Sequence, residues 1–103
     1  MVIVSVMYPA SAGAKFDMDY YRKTHLPLVH ARWDDGGLRE LKVLTGVGAP
    51  GGGPSTYSVI ALLTFDSAAA VDQAVARHGA EIIGDIVNFS NVQPVIQVNN
   101  VLA

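Results

Sequence analysis

Hydrophobic and polar positions alternate along residues 2–8, with Val2, Val4, Val6 and Tyr8 on one side and Ile3, Ser5 and Met7 on the other, which predicts a first β-strand. The period then changes. Over residues 17–33, Met18, Tyr21, His25 and Leu28 or Val29 recur at helical spacing, and Asp17 stands where an N-cap accepts backbone N–H bonds. Pro27 has no backbone donor and disfavours helical geometry at Leu26, so the helix is expected to kink or pause there and free the carbonyl near Lys23. Asp34, Asp35, Gly36 and Gly37 end it with turn chemistry. Residues 38–47 read as a second strand, in which Arg39, Leu41, Val43, Thr45 and Val47 alternate against Glu40, Lys42 and Leu44.

Residues 48–55 are a loop by composition, because glycine supplies positive φ and proline removes donors from a ladder. The loop reads as a hairpin connection or as a lid over a pocket mouth. It lacks the lysine and hydroxyl of a phosphate loop, and a strand follows it where a helix would be needed. That strand, residues 57–65, sets Tyr57, Val59, Ala61, Leu63 and Phe65 against Ser58, Ile60, Leu62 and Thr64, so both of its faces carry apolar residues. Asp66 and Ser67 cap a second helix with Val71, Ala74, Val75 and His78 on its stripe, and residues 80–87 read as a further short helical piece after Gly79. Residues 92–102 close the chain as a last strand, with Pro94 near its start, where a missing donor costs least.

The order βαββαβ predicts an α+β fold, the ferredoxin-like sandwich with both helices on one face of an antiparallel sheet. Helices in so short a chain cover only one sheet face, so the apolar second face is expected to pack on another subunit. Two such sheets face to face make a homodimeric α+β barrel. A small organic molecule would then sit in the barrel interior or in the cleft between sheet and helices.

Composition narrows this further. The chain has 103 residues, 50% of them hydrophobic and 16% charged, which fits one domain spanning residues 1–103 and a single small core. A net charge of −2 with scattered Lys and Arg argues against nucleic-acid binding. No cysteine is present, which excludes disulfides, thiol nucleophiles and cysteine-ligated metals. The first eight residues lack the basic start and cleavage site of a signal peptide, and no stretch approaches the roughly 20 apolar residues of a membrane span. A cytoplasmic protein that does not enter a membrane is the expectation.

His25 carries the strongest chemical signal. A buried imidazole beside a helix irregularity can act as acid or base and donate to a substrate oxygen through its other nitrogen, or it can be a core histidine bonded to a backbone carbonyl. Tyr21, one turn earlier, could orient a ligand oxygen, as could Tyr20; amphipathic packing is the plainer role for either. Tyr8, Arg32 and Trp33 could line a pocket mouth or simply pack at its rim. His78, read as lying at the end of the second helix, either interacts with the helix dipole or reaches the cavity of His25. His30 falls five residues after His25 and looks toward another face, a poor spacing for a shared metal, so no metal site is expected. There is also no serine elbow, dinucleotide fingerprint or paired-acid motif, and no cofactor is expected.

The run Tyr8-Pro9, Gly13, Phe16-Asp17, Tyr20-Tyr21 and His25-Leu26-Pro27-Leu28 resembles the amino-terminal signature of the EthD family of small dimeric α+β barrel proteins. A second block, residues 85–94, resembles that family's carboxy-terminal region, so the likeness spans nearly the whole chain. It implies the dimeric barrel and assigns the family's motif histidine to His25. The second block adds Asn88 and Phe89, which could contact a ligand or fix the turn before the last strand. The family is named after a protein encoded with a monooxygenase system that degrades ethyl tert-butyl ether. The functional readings are a cofactor-independent enzyme using His25 and Tyr21 on a hydrophobic cyclic or aromatic molecule, with Tyr8, Trp33, His78 and Phe89 as candidate ligand contacts, or a non-catalytic accessory protein of an oxidoreductase system. A purely structural dimerisation domain is the third.

Overall fold

Tyr57–Phe65 is a strand that pairs on both sides, and the sheet is assembled around it and its neighbour. A computed structural model describes residues 1–103. Its strands are β1 (Val2–Pro9), β2 (Leu38–Thr45), β3 (Tyr57–Phe65) and β4 (Val95–Asn100). They form one four-stranded sheet of order β2-β3-β1-β4, and every pairing is antiparallel. The first helical region runs through α1 (Met18–Tyr20), a π-helical turn (Tyr21–His25) and α2 (Leu26–Trp33); α3 is Ala68–Gly84. The α+β fold expected from the element order is the fold observed, with the last strand shorter at both ends.

Capping starts both helical regions. The Asp17 carboxylate accepts the Tyr20 N–H at 3.0 Å, and the Ser67 hydroxyl accepts the Ala70 N–H at 3.1 Å. The second helix departs from expectation: α3 passes through Gly79 without a break and ends only at Gly84, followed by a 3-10 turn, Asp85–Asn88. Gly79 is buried there, and the packing of Ala74 and Ile82 on either side outweighs a glycine's modest helical penalty. His78 consequently lies inside the helix and not at its end.

The core fills the space between the sheet and the helices. Phe65, Leu63 and Ala61 of β3 meet Val2 and Val4 of β1, Val29 and Trp33 of α2, and Val71, Ala74 and Ile82 of α3. The Trp33 indole N–H donates to the Ala74 carbonyl at 2.9 Å, which fastens α2 to α3 and satisfies a buried donor. A second cluster, Tyr8, Tyr21, Val59, Ile86 and Phe89, continues the core toward the other end of the sheet.

β2 corrects the simple alternation. Leu38 pairs with Phe65 and Glu40 with Thr64, so Arg39 is the extra residue of a bulge. Arg39 leaves the face it was assigned with Leu41 and Val43 and pairs with Asp66 at 2.5 and 2.9 Å, while Leu38 enters the core.

The sheet face away from the helices carries an apolar row that crosses all four strands. Leu44 pairs with Ile60, Ile60 with Met7, and Met7 with Val95. Met7 and Ile60 are half-buried by their neighbours, whereas Leu44 and Val95 at the edges are 42% and 47% exposed. The flanking row, Lys42, Leu62, Ser5 and Gln97, is mostly polar.

Gly46 follows β2, and its N–H bonds the Ser58 carbonyl at 2.8 Å. A Cβ there would run into the Tyr57 carbonyl oxygen and the Ser55 side chain. Gly46→Ala is therefore expected to destabilise the fold by about 1–3 kcal/mol, seen as a lower urea midpoint. An unchanged midpoint would mean that the hairpin shifts to make room.

Candidate functional site

Pro27 cannot donate to the helix ladder, and the chain answers upstream of it. The Leu26 N–H reaches back to the Tyr21 carbonyl, five residues earlier, and closes a π-helical turn over Tyr21–His25. The expected irregularity is thus present as a widened turn before the proline, and α2 continues without a pause. This turn offsets the drift that four-residue steps accumulate on an α-helix, so that Tyr21, His25, Val29 and Trp33 all stay buried. Tyr21 and His25 stack with ring centroids 5.5 Å apart and an interplanar angle of 17°.

The His25 side chain is 6% exposed, and its Nδ1 lies 2.9 Å from Asp85 Oδ2. Asp85 opens the turn after α3, so the pair joins the two helical regions. The other carboxylate oxygen, Oδ1, accepts the Tyr20 hydroxyl at 2.6 Å and the Asn88 amide at 2.9 Å. Burial raises the Asp85 pKa, but the hydrogen bonds from Tyr20, Asn88 and His25 outweigh it and hold the carboxyl below its ordinary value. The same contact raises the Tyr20 phenol.

Behind this polar group stands an aromatic wall. Phe89 lies 4.5 Å from His25 and 5.1 Å from Tyr21, and Tyr8 and Phe16 complete the cluster with edge-to-face contacts. Phe89 is placed by backbone bonding: its carbonyl accepts the Asp17 N–H at 2.7 Å, and Phe16 bridges Ser90. The two blocks of sequence that bear a family likeness are therefore packed on each other.

In front lies a cavity of about 90 Å³ between the sheet and the helices. Of its 18 lining residues, 17 are hydrophobic and the other is His25. Tyr8, Tyr21 and Trp33 line it with His25; Phe89 supports the His25 ring from outside the lining, and His78 is not part of it. The loop of residues 48–55 contributes nothing to the lining. Arg32 turns away to Glu81 at 2.7 Å, and exposed His30 pairs with Asp34 at 2.9 Å. No three of the chain's His, Asp and Glu residues gather as a metal-holding cluster. Burial pushes the Tyr21 phenol up to about 12. Burial, with Tyr21 nearby, raises Tyr8 as well. Both are hydroxyl donors at neutral pH.

Asp85 is the residue that sequence reasoning passed over. Its signal was an acid amid Ile82, Ile83, Ile86 and Val87, which becomes visible once the helix is carried past Gly79.

A carboxyl held below its unfolded pKa contributes stability that is complete above about pH 4 and is lost as the pH falls through the depressed folded value. Wild type should therefore be more stable than Asp85→Asn at about pH 6, with the gap closing toward about pH 3. Urea unfolding across that range measures it. Asp66 and Glu81, lowered by Arg39 and Arg32, titrate in both proteins and cancel. A gap independent of pH would show that the Asp85 charge adds no stability.

Solved structures share this fold over nearly the full chain. An EthD-like protein from Ralstonia eutropha JMP134 superposes with a TM-score of 0.89 at 36% identity, covering 99% of this chain and 92% of that one. An EthD family protein from Bacillus halodurans C-125 gives 0.69 at 21% identity, covering 99% of each. A dimeric ferredoxin-like protein from an uncultured marine organism gives 0.55 at 11% identity, with 100% and 96% covered. No family profile and no curated protein matches the chain.

Proposed function

The chain belongs to the EthD-like family, and from that premise we propose that it binds a small hydrophobic organic molecule, cyclic or aromatic, in the cavity beside His25, with His25 as acid or base. One observation carries the reading: the single non-hydrophobic lining residue of an otherwise apolar cavity is an imidazole with one nitrogen held by a carboxylate. A core histidine needs only a partner for its polar atoms. An imidazole held by a carboxylate at the wall of a cavity is arranged as a catalytic base is arranged. Tyr21, stacked on the same ring and retaining its proton, supports the role of a donor to a ligand oxygen.

Thermal unfolding with cyclic ketones and phenols as probes tests the binding. Stabilisation by such probes is expected in wild type and should vanish in Ala61→Leu, which places a larger side chain in the cavity wall. Equal stabilisation of both proteins would place binding elsewhere. His25→Ala should lose turnover while keeping its fold; binding without product in wild type would favour the accessory role beside an oxidoreductase.

We also propose a homodimer formed through the apolar row of Leu44, Ile60, Met7 and Val95. Its support is the continuity of that row across every strand and the dimeric state of the ferredoxin-like neighbour. Light scattering should give twice the chain mass for wild type and the chain mass for Ile60→Asp. A monomeric wild type would refute the dimer and leave the cavity argument standing.

A further inference from the structure

The two ring nitrogens of His25 have different surroundings. Nδ1 faces Asp85 Oδ2 at 2.9 Å. Nε2 bonds no protein group and is not fully sealed, since no buried side-chain nitrogen or oxygen lacks a partner, and the His25 side chain lines the cavity. An ionised carboxylate only accepts, so Nδ1 carries the hydrogen, and a neutral ring then leaves the Nε2 lone pair bare. The carboxylate is itself pinned. With Tyr20 and Asn88 both donating to Oδ1, it has no freedom to swivel away.

Tyr8 and Tyr21 add donors. Both line the cavity, each is almost wholly buried, at 1% and 2% exposure, and burial keeps the proton on each phenol at neutral pH. The indole N–H of Trp33 is already spent on Ala74. The polar side-chain groups left along the cavity wall are thus one imidazole and two phenols, set among hydrocarbon. That set complements an oxygen that gains negative charge next to a carbon that loses a proton.

Building on the binding reading above, we infer that Asp85 is a positioning residue that holds His25 as an Nε2 base, and that the ligand class is a hydrophobic cyclic ketone with an enolisable C–H. Nε2 takes the α-proton, and the C–H electron pair becomes the C=C bond. The carbonyl π pair moves to oxygen, where Tyr8 and Tyr21 donate hydrogen bonds. The imidazolium returns the proton to carbon, at the same or a conjugated position. The net change is exchange or isomerisation, and no oxidant or reductant is consumed.

Cyclohexanone in D₂O is the probe, read by NMR for α-deuteration, with thermal unfolding read in parallel. Wild type should catalyse exchange and His25→Ala should not. In Asp85→Asn the amide oxygen stays with Tyr20 and Asn88, so the NH₂ turns to His25 and forces the hydrogen onto Nε2. Exchange should then fall by about 100-fold or more while cyclohexanone still stabilises the protein. The triple variant Tyr20→Phe, Asn88→Ala, Asp85→Asn frees the amide to flip and should recover part of the rate. Imidazole ¹⁵N spectra of wild type at about pH 9, above the ordinary histidine range, should show the Nδ1–H tautomer; this measurement needs no variant. The Nε2–H tautomer, or exchange in Asp85→Asn at the wild-type rate, would overturn the role of Asp85. Stabilisation without exchange in wild type would overturn the ketone chemistry and leave binding intact. Absence of both would overturn the binding reading itself.

Discussion

One hydrogen bond, between side chains separated by 60 positions in the chain, organises this end of the molecule: His25 Nδ1 to Asp85 Oδ2. Each partner is held by an irregularity of its own helical region. His25 is set by the π-helical turn that Pro27 imposes, and Asp85 by the arrest of α3 at Gly84. Neither group would sit well alone. A half-paired carboxylate under the helices carries a desolvation cost, and an unpaired imidazole nitrogen in a hydrocarbon wall carries another. Together, with Tyr20 and Asn88 on the remaining oxygen, they form a bonded polar group at the cavity wall.

The surroundings make that arrangement effective. A wall of aliphatic and aromatic carbon keeps the local dielectric low, which strengthens every dipole aimed into it and penalises any ligand charge left unmatched. Tyr21 and Phe89, braced by Tyr8 and Phe16, also leave the imidazole little room to rotate. Rigid placement of the ring follows from packing, while its hydrogen-bonding direction follows from the carboxylate.

Much of the fold was legible because local and tertiary preferences agree. In β3, strict alternation meets a partner on each side, and the buried set Val59, Ala61, Leu63 and Phe65 is the set that alternation selects. Asp17 and Ser67 announce their helices by capping chemistry that needs no distant contact. The misreadings occur where tertiary packing overrules a local signal. Gly79 looks like a stop, but it is buried within a continuous helix. Arg39 fits the alternation of β2, but a bulge exchanges it for Leu38. His25 and Tyr21 could be singled out from spacing and residue type. Asp85 stood out only as an acid amid apolar neighbours, because its partner lies on another helix and pairing over that distance leaves no periodic trace.

The apolar row of Leu44, Ile60, Met7 and Val95 and the cavity occupy opposite faces of one sheet. Strand residues alternate between these faces, so each β1 or β3 position belongs to one surface or the other and not to both. A strand substitution in the apolar row therefore leaves the cavity lining alone, and one in the strand part of the cavity lining leaves the row alone. The architecture lets the cavity lining drift over evolutionary time without disturbing the opposite face, as a hinge permits a door to be replaced while its frame stays in the wall.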